Sequence, residues 1–94
     1  MKQSEDGFRK AIRDLAQWRG WVVYYVPDSR WTDVRGWPDL VLARGGIVLF
    51  RELKAEGGKV SVEQQWWLDQ LAEAGCDAKV WRPADWAEIE RILQ

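Results

Sequence analysis

Two apolar runs in the middle of the chain are separated by a pair of glycines. Residues 40–43 and Ile47–Leu53 are rich in β-branched and aliphatic side chains, and Gly45-Gly46 lies between them. This arrangement predicts a β-hairpin with a two-residue turn. In that register Asp39, just before the first run, lies opposite Glu52 near the end of the second.

Apolar residues recur at helical spacing in three other parts of the chain. Residues 21–26 and 78–82 are short runs that predict two further strands. The predicted order is therefore α-β-β-β-α-β-α, an α/β fold with a mixed sheet and helices on both faces. The three helical stripes are Phe8, Ile12, Leu15 and Ala16; Trp67, Leu68, Leu71 and Ala72; and Trp86, Ile89 and Ile92.

Capping residues mark the start of each predicted helix. Ser4 is a favourable N-cap for the first helix. Ser61, three residues before Gln64, matches a capping box for the second helix, and Asp85 with Glu88 is expected to cap the third.

Strand alternation places three charged side chains on one face of the hairpin. Asp39 and Glu52 share this face, and Lys54 lies two residues beyond Glu52. Two opposed carboxylates repel each other, and a divalent cation such as Mg2+ would offset that repulsion. The alternative is a solvated strand end, where the acids pair with Lys54 or Arg51.

Composition narrows the possible chemistry. The 94 residues are expected to form one domain over 1–94, with a net charge of −1. The sequence has no histidine, which excludes His-based triads and most zinc enzymes. The single cysteine, Cys76, excludes an internal disulfide and fits a reducing cytoplasm. No apolar run approaches the length of a membrane span, so no membrane association is expected.

Basic and aromatic residues alternate in the segment before the hairpin. Arg30, Arg35 and Trp37, together with Ser29, are candidate contacts to nucleic acid, because phosphates attract arginine and bases stack on aromatic rings. The alternative is a solvated loop.

Two residues have both a structural and a functional interpretation. Glu5 in the first helical turn can compensate the helix dipole, or it can point towards the acid pair. Gln64 completes the capping box, yet it also lies on the apolar stripe and can face the sheet.

The motifs Gly36-Trp-Pro-Asp39, Glu52-Leu-Lys54 and Ser61-Val-Glu-Gln64, in this order, resemble those of a VRR-NUC (virus-type replication-repair nuclease) domain. That family belongs to the PD-(D/E)xK superfamily of metal-dependent nucleases, and the resemblance covers nearly the whole chain. It implies a restriction-endonuclease-like core.

The resemblance also implies roles for individual residues. Asp39, Glu52 and the main-chain carbonyl of Leu53 would bind Mg2+ or Mn2+, and Lys54 would orient or activate the attacking water. By the same resemblance, Glu5 would hold a metal-bound water, and Gln64 would support the catalytic face.

The function expected from the sequence is a metal-dependent DNA endonuclease in a bacterial or phage-infected cell. Its expected substrate is branched DNA such as four-way junctions. A homodimer is also expected: eight tryptophans are many for so small a core, and Trp66 is assigned to the outside while Trp67 is assigned to the core. The alternative is a catalytically silent DNA- or protein-binding module of a phage or repair complex.

Overall fold

The computed structural model describes residues 5–26 and 34–94. Four strands and three helices follow the predicted order, and a short 3-10 turn precedes the last helix. The elements are α1 (Glu5–Trp18), β1 (Val22–Tyr25), β2 (Leu40–Arg44), β3 (Ile47–Leu53), α2 (Val62–Glu73), β4 (Asp77–Trp81), the 3-10 turn Pro83–Asp85 and α3 (Trp86–Leu93).

The four strands form one sheet in the order β1-β2-β3-β4. β1, β2 and β3 are antiparallel neighbours, and β4 runs parallel to β3 after the α2 crossover. In the hairpin Arg44 pairs with Ile47 and Leu40 pairs with Arg51, which confirms the predicted register. Gly45 and Gly46 both have positive φ, 56° and 84°, as a two-residue hairpin turn requires.

The core lies between one face of the sheet and the helices α1 and α3. Alternating residues of β2 and β3 point into it, because successive strand side chains lie on opposite faces. The apolar stripes of α1 and α3 cover them and exclude water. The fully buried core residues include Phe8, Ile12 and Ala16 of α1, Leu40, Leu42, Leu49, Leu53 and Trp81 of the sheet, and Ile89 and Leu93 of α3.

The opposite face of the sheet is covered only in part. α2 packs against β4 on this side, which agrees with the prediction of helices on both faces. Away from α2, the side chains of Val22, Tyr24 and Val48 are 70%, 57% and 46% exposed. The pairing of the strands brings these three residues together with Val41 and Ala43, and we call this set the open face. Among the strand residues on this side of the sheet, the one charged side chain is that of Glu52.

Several expectations differ from the structure in detail. β1 is shorter than the predicted run 21–26, and β4 begins and ends one residue earlier than 78–82. Of the stripe predicted for α2, only Leu68 is buried, because α2 meets the sheet at one corner. The predicted cap for Ser4 falls outside the described residues.

The prediction for the start of the last helix is confirmed in position, because Asp85 is the N-cap residue of α3, but it is wrong about the capping hydrogen bonds. Asp85 accepts a hydrogen bond from the backbone N–H of Arg82 at 2.8 Å, and so closes the 3-10 turn that precedes α3. It makes no side-chain cap bond to α3. Glu88 instead pairs with Lys79 at 2.9 Å, because β4 runs beside the first turn of α3.

A buried arginine lies directly before Glu52 in the chain. Arg51 is fully buried, stacks on the Trp81 ring at 4.5 Å and lies 2.8 Å from the carboxylate of Asp77. Its guanidinium also donates to the backbone carbonyls of Phe50 and Asp77. Arg51 therefore holds β3 to the start of β4 and pairs with neither Asp39 nor Glu52. Within the described ranges, no helix is long and apolar enough to cross a membrane.

Candidate active site

Two carboxylates meet where the hairpin strands end. Glu52 lies near the end of β3 and is 2% exposed. Asp39 lies one residue before β2, and its Oδ2 accepts a hydrogen bond from the backbone N–H of Leu53 at 2.9 Å. Asp39 therefore continues the hairpin register by one position and reaches across to the strand that carries Glu52. The structure brings the two acids together as the sequence predicted.

Two side chains contact one oxygen of Glu52, and no described residue makes a hydrogen bond to the other oxygen. Lys54 Nζ lies 3.7 Å from Glu52 Oε2, and Gln64 Nε2 donates to the same oxygen at 3.1 Å. Oε1 is buried and has no hydrogen-bond partner among the described residues. A buried acceptor without a partner costs free energy, so this oxygen is suited to bind a cation or a proton donor.

This environment raises the pKa of Glu52 from 4.5 to about 8. Burial is the largest cause, since it disfavours the charged form. The negative charge of Asp39 raises the pKa further, whereas Lys54 lowers it. Without a cation, the protonated form of Glu52 is therefore favoured near neutral pH.

Gln64 caps its helix and also faces the sheet, so the structure shows the contacts of both interpretations. Its backbone N–H donates to Ser61 Oγ at 3.1 Å and its Oε1 accepts from the Ser61 N–H at 2.9 Å, which completes the capping box. The other end of the same amide, Nε2, donates to Glu52. The cap fixes the side chain in an orientation that points its N–H group at the acid.

Glu5 lies at the start of α1 and is exposed. Its negative charge is among the causes that raise the pKa of Glu52, although the smallest of them. The start of α1 therefore lies near enough to Glu52 for the charge of Glu5 to act on it. This arrangement also satisfies the helix dipole, so the structural and functional interpretations of Glu5 are compatible.

The candidate nucleic-acid contacts are only partly described. Ser29 and Arg30 lie outside the described residues. Arg35 is exposed, and Trp37 is half-buried. The Trp37 ring packs edge-on against Phe50 of β3 and Trp67 of α2, with centroid distances of 5.9 and 5.0 Å. Trp37 therefore connects α2 to the sheet beside the site, a role that its place in a basic and aromatic segment did not predict.

The prediction that Trp66 of α2 is exposed and Trp67 lies in the core is confirmed in part. Trp66 is 54% exposed, as predicted. Trp67 is only partly buried, because it packs between Trp37 and Trp66 at the edge of the sheet and not in the main core.

Two further residues near the site make contacts that the sequence analysis did not predict. Gly36 lies in van der Waals contact with the first turn of α2, which no local pattern could reveal. Arg9, one helical turn after Glu5, lies over the Tyr25 ring at 5.5 Å. The strand of Tyr25 ends beside Asp39, since the Val26 N–H donates to the Asp39 carbonyl at 2.9 Å. The spacing of four residues from Glu5 to Arg9 was the signal that could have found this arginine.

The donor set fits a hard divalent cation. Within residues 5–26 and 34–94, no group of three or more His, Cys, Asp or Glu side chains could hold a metal ion. Mg2+, however, is commonly bound by one or two carboxylates and keeps several waters and substrate oxygens. The buried, unpartnered Glu52 Oε1 beside Asp39 matches that mode of binding. The residues that would hold the ion are Asp39 and Glu52.

Two comparisons with known proteins found a match to this chain. The family model of the VRR-NUC domain matches residues 6–85. A solved structure described as a VRR_NUC domain protein resembles the chain with a TM-score of 0.71 and 22% sequence identity, over 100% of this chain and 88% of the other. None of the curated proteins matches the chain. At this identity the structural likeness shows the fold, which is of the nuclease type.

Proposed function

Because the chain belongs to the VRR-NUC family, we propose that it is an endonuclease that hydrolyses phosphodiester bonds of DNA with Mg2+ or Mn2+. The observation that carries this proposal is the buried acid pair. Glu52 has one buried oxygen to which no residue of the described part of the chain makes a hydrogen bond, and it lies beside Asp39 and Lys54. A domain that only bound DNA or protein would gain nothing from this costly arrangement.

The residues around the acid pair would each act on a different part of the reaction. When bound, the cation lowers the pKa of water and neutralises charge on the scissile phosphate. Lys54, held 3.7 Å from Glu52, adds a fixed positive charge where the transition state gains negative charge. Gln64 holds the Glu52 carboxylate in place through its hydrogen bond. Glu5 adds a third acid from the start of α1.

DNA binding must rely on local positive charge, because the chain as a whole is slightly acidic. Arg35 and Trp37, with Ser29 and Arg30, are the candidate contacts proposed from the sequence. Branched DNA, such as a four-way junction, is the proposed substrate.

A homodimer is proposed as the working form, and the open face is the surface that supports it. An exposed apolar sheet face is unusual for a monomer and typical of an interface. The open face carries no charged side chain, so it can pack against its own copy without repulsion. It also carries no arginine or lysine for phosphates, which disfavours DNA as its partner. Two sites in one dimer would suit the cutting of two strands.

A cleavage assay tests the proposed activity. Purified protein is incubated with duplex, flap and four-way-junction DNA in Mg2+, Mn2+ or EDTA, with Asp39→Asn as the inactive control. Cleavage of the junction that requires metal and is lost in the variant is the expected result. Binding without cleavage under every condition would favour the alternative, a catalytically silent DNA-binding module.

A further inference from the structure

Gly36 approaches the first turn of α2 more closely than any side chain would allow. A Cβ atom at this position would lie 2.5 Å from the carbonyl carbon of Glu63 and 2.7 Å from the backbone nitrogen of Gln64. These are main-chain atoms of a helix, so they cannot move aside as the tip of a flexible side chain could. Gly36 also has a φ of +87°, a conformation that L side chains rarely adopt. The contact therefore requires glycine.

The next residue makes a second contact with the same helix. The Trp37 ring lies 5.0 Å from that of Trp67 on α2 and 5.9 Å from that of Phe50 on β3, edge-on in both cases. Such aromatic pairs have preferred geometries and fix the elements that carry them. Two consecutive residues of one loop thus touch α2, one at its backbone and the other one turn further along.

The turn of α2 that Gly36 touches is the one that carries Gln64. The side-chain amide of Gln64 must reach 3.1 Å from Glu52 Oε2, and the Ser61 cap fixes its orientation relative to the helix. The helix packs against β4, and the loop contacts its first turn through Gly36 and Trp37. Asp39 follows Gly36 by three residues in the same loop, so one short segment determines the positions of both groups that flank Glu52.

We propose that Gly36 and Trp37 are positioning residues, which hold the first turn of α2 so that Gln64 reaches Glu52. The inference rests on the proposed nuclease function for its meaning in catalysis. Its structural part, the dependence of the Gln64–Glu52 contact on the loop, can be tested without metal or DNA.

The test compares Gly36→Ala with a matched control, Gly20→Ala. Gly20 has nearly the same backbone conformation, with a φ of +85°, but a Cβ atom there meets nothing within 4 Å. The two variants therefore share the backbone strain and differ in the collision with α2. Circular dichroism and thermal melting establish that both are folded. In the metal-free protein, nuclear Overhauser contacts between the Gln64 side-chain amide protons and the Glu52 methylene protons report the distance directly.

The expected result is that this contact persists in the wild type and in Gly20→Ala and is lost in Gly36→Ala. In the junction-cleavage assay, we expect the kcat of Gly36→Ala to be about 10²-fold below that of the wild type, because a misplacement of about 1 Å can cost that much. The kcat of Gln64→Ala should be lowered by the same factor. The kcat of the double variant should be no lower, because the two changes remove the same interaction, the Gln64–Glu52 hydrogen bond.

Retention of the Gln64–Glu52 contact in Gly36→Ala, or additive losses in the double variant, would overturn the proposal. Should Gly36→Ala not fold, Trp37→Leu decides by the same magnetic resonance contact: its loss supports the proposal, and its retention overturns it. A wild type that cleaves no DNA would refute the proposed function, and the magnetic resonance result would still decide the positioning.

Discussion

Replacing Glu52 with glutamine should make the metal-free protein more stable at alkaline pH. The pKa of Glu52 is raised from 4.5 to about 8, first by burial and then by Asp39. The folded state therefore binds a proton that the unfolded chain releases. The stability that this proton contributes is complete below pH 4.5 and is lost as the pH rises to about 8. Glutamine keeps the shape, remains neutral and can still accept the hydrogen bond from Gln64.

The size of the effect follows from the change in pKa. Each unit of pKa change is equivalent to about 1.4 kcal/mol, so the rise in the pKa of Glu52 from 4.5 to about 8 corresponds to at most roughly 5 kcal/mol of stability. A domain of this size has a free energy of unfolding of about 5–15 kcal/mol, so the difference is large. Each kcal/mol should move the melting temperature by about 4–8 °C. Glu52→Gln should match the wild type near pH 5 and melt well above it near pH 8.

Thermal and urea unfolding in EDTA from pH 5 to pH 8.5 measure this difference. The matched control is Glu88→Gln, because Glu88 pairs with Lys79 at the surface and its pKa is lowered chiefly by that hydrogen bond. The contribution of Glu88 to the free energy of unfolding has the opposite pH dependence: it is present at neutral pH and is lost as the pH falls. The free energy of unfolding of Glu88→Gln should be less than about 1 kcal/mol below that of the wild type at pH 7.

Addition of Mn2+ completes the experiment. When the free Mn2+ concentration is 100 times the Kd, an ion that binds only the folded wild type should raise its free energy of unfolding by about 2.7 kcal/mol at pH 7.5. Glu52→Gln should lose this increment, because one of the two carboxylates is gone. Parallel pH profiles for the wild type and Glu52→Gln, or an unchanged response to Mn2+ in the variant, would refute the assignment of Glu52.

Three further predictions concern the other parts of the site and the proposed dimer. Lys54→Met should lower kcat for junction cleavage by about 10²–10³-fold with little change in DNA binding, and equal losses in binding would contradict a role in the transition state. Gln64→Glu keeps the cap but replaces the donor to Glu52 with an acidic group, so it should lower the melting temperature of the metal-free protein and abolish cleavage; normal activity would show that the donor is dispensable. Val48→Lys should dissociate the dimer in sedimentation equilibrium, whereas Val62→Lys, an exposed position on α2, should not; a wild type that is monomeric at micromolar concentration both free and on junction DNA would remove the dimer proposal.

The local sequence determined the hairpin and the cap of α2. Strand alternation and the two-glycine turn act between neighbouring residues, so the register that brings Asp39 towards Glu52 could be predicted from sequence alone. The capping box of Ser61 and Gln64 is equally local, since its partners lie three residues apart. Asp85 is the N-cap residue of α3 as expected, but its side chain bonds to the preceding 3-10 turn, and the choice between these two adjacent turns depends on how the chain leaves β4.

Only the tertiary structure decided the environment of the acids. Whether Gln64 merely caps its helix or also touches Glu52 depends on where α2 packs, and Gly36 and Trp37 set that position through contacts far apart in sequence. The open face likewise became visible only when α1 and α3 were seen to cover the other side of the sheet. The raised pKa of Glu52 follows from the same cause: desolvation sums over every element packed around a group, so no single segment of the sequence specifies it.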